Sequence, residues 1–129
     1  MINSNVYDYI NVLDKAADAS WIRNEVIANN ISNVDTPGYK RQDVTFESEL
    51  EKALVGQRYI SMDDKVANLS LDKLEPRTYK DYTSYSYRLD GNNVDIETEN
   101  VILAKNQIKY EGLMKGITQE FQNLKIVMK

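Results

Sequence analysis

The side chains that most often carry chemistry are missing from this chain. None of its 129 residues is His and none is Cys. Without His, the usual general base near neutral pH is absent, and so is the commonest metal ligand. No Ser-His-Asp arrangement can form. Without Cys there is no disulfide framework, no thiolate nucleophile and no Cys-ligated zinc or iron–sulfur site. The carboxylates that remain read as structure. Asp63 and Asp64 are adjacent and suit a solvated loop. Glu97 and Glu99 open an expected helix, where negative charge complements the macrodipole. No glycine-rich phosphate loop is present. The sequence offers no catalytic, cofactor-binding or metal-binding residues.

Charge narrows the partners. The chain has 16 basic and 20 acidic side chains, a net charge of −4. A general nucleic-acid binder needs surplus Lys and Arg to neutralise phosphates. Tyr59, Tyr79, Tyr82, Tyr85 and Tyr87 lie among Arg and Lys, a pattern that can stack bases. However, Val34 to Val94 holds eleven acids against nine bases, so packing and contact between subunits is the better reading. Apolar runs reach only four residues, Val101 to Ala104, far from the roughly 20 that span a bilayer. The start, Met-Ile-Asn-Ser-Asn-Val-Tyr-Asp, has no basic segment followed by an apolar stretch, so no cleaved secretory leader is expected. For the same reason Asn68-Leu69-Ser70 is not read as a glycosylation site.

The elements follow from periodicity. Val6, Ile10, Leu13, Ala17, Ser20, Asn24, Ile27 and Ile31 are spaced alternately by four and three, a heptad seam. One helix is expected from about Ser4 to Asn33, roughly 43 Å long. It must stop before Asp35-Thr36-Pro37-Gly38. Leu103, Gln107, Tyr110, Met114, Ile117, Phe121, Leu124 and Met128 repeat the spacing, and predict a second helix from about Asp95 to Met128. Asp95 or Thr98 is its candidate cap. Asn24 and Gln107 interrupt the two seams. They either form a buried polar pair that fixes register or face a neighbour or water. Gly112 and Gly116 admit close approach of a helix or are simply tolerated.

The fold expected is mainly α, with two long terminal helices pairing antiparallel as a coiled-coil-like hairpin. Residues 1–33 and 95–129 form its helical core domain. Residues 34–94 form an irregular insertion with short β-strands. Thr83 to Leu89 alternates like an exposed strand, Phe46 to Leu54 suits a short helix, and Asp90-Gly91-Asn92-Asn93 is a turn. A two-helix hairpin cannot cover every apolar stripe. Ile2, Tyr9, Ala16 and Trp21 are left over on the first helix, and Ile96, Val101, Ile102 and Ile108 on the second. Such stripes mark interaction surfaces, so the chain reads as a subunit that completes its core with neighbours.

The residues at the end of the first helix carry a resemblance. Ala28-Asn29-Asn30-Ile31-Ser32-Asn33-Val34-Asp35-Thr36-Pro37-Gly38-Tyr39-Lys40 resembles the N-terminal signature of bacterial flagellar rod and hook proteins, with Ser32 in place of the usual Ala. Asp43 to Leu50, Asp90 to Glu97 and Asn106 to Tyr110 are similar to stretches of the FlgB-type proximal rod proteins. The other small proximal rod type, FlgC, is the nearest rival, but its Asn-Pro-Val element is replaced here by Asp-Gly-Asn-Asn-Val-Asp. A helical export chaperone or adaptor is a further alternative. The FlgB resemblance implies a non-enzymatic subunit of the basal-body drive shaft without cofactors. The expected location is the cell envelope, within the periplasmic space. The implied partners are copies of itself, other rod and membrane-ring adaptor proteins, and the flagellar type III export apparatus. Neither nucleic acid nor direct membrane insertion is implied. The signature turn would be Asn29, Asn30, Asn33, Thr36, Pro37, Gly38 and Tyr39. The packing and assembly interface would be Val6, Ile10, Leu13, Ala17, Ile27, Ile31, Leu103, Tyr110, Met114, Ile117, Phe121 and Leu124.

Overall fold

The structure, a computed structural model, describes residues 7–55, 60–82 and 88–128. Val6, Tyr59, Tyr85, Tyr87 and most of the strand expected over Thr83 to Leu89 lie outside these residues. Helix α1 spans Asp8–Ser32 and the last helix, α4, spans Ile96–Val127. Between them come strand β1 (Gln42–Thr45), helix α2 (Glu47–Val55), helix α3 (Met62–Ala67), a 3₁₀ turn (Leu71–Leu74) and strand β2 (Arg77–Lys80). Among the described residues, no helix is long and apolar enough to cross a membrane.

The two long helices pack antiparallel. Asn30 meets Glu99, Ser20 meets Asn106, and Leu13 lies against Gly116. Asp95 caps α4, its Oδ1 accepting the Glu97 N–H at 3.1 Å, while the Thr98 hydroxyl donates to Oδ2 at 3.0 Å. A Cβ at Gly116 would sit 3.7 Å from Leu13 and one at Gly112 would meet nothing within 4 Å. Ala would therefore fit at both positions, and neither glycine is required by close approach of the helices.

The segment between the helices folds back onto the other side of α1. β1 and β2 pair antiparallel, with Gln42 opposite Lys80 and Thr45 opposite Arg77. Phe46 and Leu74 bury against Ala19, with Ala16, Leu50, Leu69 and Leu71 packed around them. Small Ala side chains on α1 let these larger residues approach the helix backbone. Polar ties reinforce the contact. Arg23 on α1 holds the Glu47 carboxylate with two N–H groups, at 2.6 and 2.7 Å, and donates a third bond to the Val44 carbonyl at 2.9 Å. Lys15 pairs with Glu75, and the Tyr9 hydroxyl donates to Asp63. Helix α1 is thus covered on two sides and α4 on one.

Candidate functional site

The signature segment is a junction in which each group is held by another. Pro37 and Gly38 occupy the centre of a tight turn, closed by the Tyr39 N–H donating to the Thr36 carbonyl at 3.3 Å. Gly38 has φ of 73°, as the third position of a type II turn requires. The Ser32 hydroxyl and the Asn33 amide donate to the Ala28 and Asn29 carbonyls, each at 2.8 Å, satisfying the end of α1. The Thr36 hydroxyl donates to Asn33 Oδ1 at 3.0 Å. Asn29 itself is exposed, as are Thr36, Pro37 and Gly38.

The turn preceding α4 docks onto this junction. Asn92 is fully buried, and its side-chain nitrogen donates to the carbonyls of Asn33, Val34 and Thr36 at 2.8, 3.0 and 2.9 Å. The Gly38 N–H donates to the Asp90 carbonyl at 2.7 Å. The Lys40 ammonium donates to the Gly91 carbonyl and Arg88 to the Val34 carbonyl. Gly91, at φ 79°, keeps the second turn tight. The Asn92 backbone N–H, donating to Oδ1 at 3.0 Å, and the neighbouring Arg88 charge hold the Asp90 carboxyl below its ordinary value.

A buried polar knot lies beneath. Asn30 accepts from the Gln42 N–H at 2.9 Å and the Tyr39 hydroxyl at 3.1 Å, and donates to the Gln42 carbonyl at 2.8 Å. Its amide also donates to Glu99 at 3.2 Å. Arg41 donates through Nε to Glu99 and through Nη1 to Asp81, each at 2.7 Å. Asn93 accepts from the Arg41 N–H at 2.7 Å and donates to the Asp81 carbonyl at 2.8 Å. Burial opposes the charge of Arg41, but Glu99 and Asp81 more than offset this and raise its pKa. Burial, then the neighbouring Glu99 charge, raises the Tyr39 hydroxyl as well. Glu99, read from sequence as a solvated dipole complement, is 1% exposed and joins α4 to both α1 and the strand segment. The knot fixes the angle at which three segments meet, and its chemistry is mutual satisfaction.

The helix faces divide the other predicted residues. On α1, Ile10, Ala17 and Ile27 are buried, and Leu13 and Ile31 half-buried. On α4 the row covered by α1 is Glu99, Leu103, Asn106, Tyr110, Leu113, Ile117, Glu120 and Leu124, again spaced alternately by four and three. Leu103, Tyr110, Ile117 and Leu124 belong to the expected seam. Gln107, Met114, Phe121 and Met128 do not: they are exposed, and Asn106, Leu113 and Glu120 stand in their rows. The expected seam followed the more apolar of two rows with the same period. Met114, 41% exposed, and Phe121, 51% exposed, are therefore corrected from intrachain packing to the outer face. The partner of the α1 backbone is Asn106, which donates to the Ser20 carbonyl at 2.8 Å, and not Gln107.

Sequence reasoning missed Arg41, Asn92 and Glu99. Arg41 carries no signal of its own in the sequence, and Asn92 reads as part of a turn and of a stretch similar to FlgB-type proteins. Both bond to groups more than fifty residues away, and no local signal reports that. Among the described residues, no group of three or more acidic side chains is placed to hold a metal ion.

Comparison with known proteins places this geometry. Residues 10–40, which hold α1 and the junction turn, match the family described as flagella basal body rod protein. The flagellar basal body rod protein FlgB of Borrelia hermsii is 36% identical, across 97% of this chain and 99% of the relative. FlgB of Bacillus subtilis is 34% identical over 90% and 89%, and that of Escherichia coli K12 is 30% identical over 82% of each chain. With helices, junction and insertion all inside the aligned region, the chain belongs to the FlgB family of flagellar basal body rod proteins.

Proposed function

We propose that this chain is a structural, non-enzymatic subunit of the proximal rod, assembling helically into the drive shaft between membrane ring and distal rod. The observation that carries the reading is the outer face of α4. Val101 and Ile108 are exposed on the side of α4 away from α1, with Ile108 at 72%, and Met114 and Phe121 are exposed on one flank of it. The two turns at the closed end of the hairpin are meanwhile locked together by hydrogen bonds. A rigid hairpin with an uncovered apolar face is suited to packing against like hairpins in a tube. In this reading residues 1–33 with 95–129 are the tube-forming unit and 34–94 is an insertion. The partners are copies of the chain, other rod and ring-adaptor subunits, and the type III export apparatus. The site of assembly is the periplasmic part of the basal body. The names of the relatives support the basal body; the uncovered face supports assembly.

The test is complementation. A flagellated strain lacking its own FlgB-type subunit would receive the wild-type chain, Phe121→Asp or Ile108→Asp, and basal bodies would be purified. The wild-type chain is expected in the proximal rod with motility restored. The two variants are expected to fold and to be exported, but to be absent from rods. Variants that assemble like the wild type would overturn the role of this face. A wild-type chain found only as a soluble partner of other export substrates would favour the chaperone alternative.

A further inference from the structure

Three side-chain oxygens on the flank of the hairpin are buried without a hydrogen-bond partner among the described residues: Ser20 Oγ, Asn24 Oδ1 and Asn106 Oδ1. Ser20 and Asn106 are among the most buried polar residues of the chain. All three line one cavity of about 350 Å³, whose walls include Trp21, Tyr110 and Glu111. The Asn106 amide is committed to the Ser20 carbonyl, so the oxygen that remains can only accept. The Trp21 and Tyr110 rings stand 6.1 Å apart, tilted by 48°. Glu111 adds a carboxylate at the exposed edge.

This lining specifies its ligand. The Asn24 and Asn106 oxygens can only accept, while the Ser20 hydroxyl can accept or donate, so the site calls chiefly for donors, since leaving buried acceptors unmet costs stability. An anion would face acceptors and a carboxylate. An apolar group would leave all three oxygens unpaired. An ammonium offers donors but no plane. A guanidinium offers five N–H donors in a plane, a charge to meet Glu111 and a face to lie against the indole. We propose that the Ser20–Asn24–Asn106 cavity is a socket for an arginine side chain presented by the neighbouring rod subunit. The identity of that neighbour rests on the functional reading above; the chemistry of the socket does not.

Trp21 is the single tryptophan of the chain, so its fluorescence reports on this cavity directly. The purified full chain would be titrated with N-acetyl-arginine amide and with the neutral, near-isosteric N-acetyl-citrulline amide. The arginine compound is expected to give a saturable change. The citrulline compound, and the Glu111→Gln and Asn24→Leu variants with the arginine compound, are expected to bind at least about tenfold more weakly. Glu111 is exposed, so Glu111→Gln decides the question if Asn24→Leu loses its helical circular dichroism. An equal response to both compounds, no saturation, or unchanged binding by Glu111→Gln would overturn the socket. In cells, Glu111→Arg should lower the amount of chain in purified basal bodies about tenfold. Normal incorporation of Glu111→Arg beside a failing Phe121→Asp would overturn the socket and leave the rod reading standing. Failure of the wild-type chain to enter rods would overturn the rod reading while the titration still decided the socket.

Discussion

Helices α1 and α4 are built from similar patterns yet have different fates. Helix α1 has 25 residues and buries Ile10, Ala17, Ala19, Ser20, Val26, Ile27 and Asn30. Helix α4 has 32 residues, and its described residues bury fully only Glu99 and Asn106, both polar. The difference comes from coverage. The strand segment closes over the Ala16 and Ala19 side of α1 while α4 covers the opposite side. Nothing in the described chain does the same for α4, whose apolar residues are mostly turned outward. Within one hairpin, then, one helix serves the fold and the other keeps an uncovered apolar surface. Equal apolar content does not imply equal burial, because burial depends on what returns to cover each side.

The strongest way to break this contrast is at the more buried of the two anchors on α4. Glu99→Ala would leave the Arg41 guanidinium buried with one of its two close carboxylates gone and deprive Asn30 of a partner. Removing one member of a buried pair costs about 3–5 kcal/mol. Chemical denaturation is expected to show a loss of that size, with α4 detaching from the junction first.

The contrast sharpens when one apolar residue is cut from each helix. Ile27, 1% exposed on α1, should cost about 2–5 kcal/mol on replacement by Ala. Phe121→Ala on α4 removes a larger ring, yet should change monomer stability by no more than about 0.5 kcal/mol, because little is buried there. Equal losses by calorimetry would show that the two faces are not distinct.

The turn that joins the helix to the insertion comes next. A Cβ at Gly38 meets nothing within 4 Å, so any penalty there arises from φ alone. Gly38→Val is expected to cost about 1–3 kcal/mol, Gly38→Ala less and Gly38→Asn least, because Asn tolerates positive φ best. Thermal melts and the amount of each variant in basal bodies should follow that order.

The smallest effect is electrostatic. The Arg23 guanidinium, aided by Lys109, holds the Glu47 carboxyl down to about 2 against the opposing effect of burial. A depressed carboxylate stabilises the fold above its ordinary value near 4.5, and that stability is lost as the pH falls toward 2. Glu47 is nearly half exposed, so solvent screening keeps the contribution small. Glu47→Gln should flatten the acid limb of stability between pH 4.5 and 2 and leave stability near neutrality little changed.

Much of the fold was legible because long helices carry long signals. The C-terminal end of α1, the extent of α4, the antiparallel pairing and the Asp95 cap all follow from periodicity and capping chemistry, while the expected start near Ser4 lies outside the described residues. The short helix expected over Phe46 to Leu54 occurs one residue later, as Glu47–Val55. The short strands expected between the helices do occur, but the places of β1 and β2 were not legible, since each has four mostly polar residues and its partner is 35 residues or so away. The α4 seam was half legible: two rows share its period, and the covered one contains Glu99, Asn106 and Glu120, which hydrophobicity alone rejects. Asn92 was invisible for a related reason. Its value lies in three carbonyls at the far end of α1, which only the folded hairpin brings near.

The account turns on the outer row of α4 facing a neighbour in the rod, and the absence of cysteine makes this directly measurable. Phe121→Cys and Met114→Cys would be treated with a maleimide, once on the dilute purified chain and once on intact basal bodies, with Ala17→Cys as the buried comparison. The account predicts that both α4 positions react in the dilute chain and are shielded in basal bodies, while Ala17→Cys stays slow in both. Rapid labelling of Phe121→Cys and Met114→Cys in intact basal bodies would contradict it.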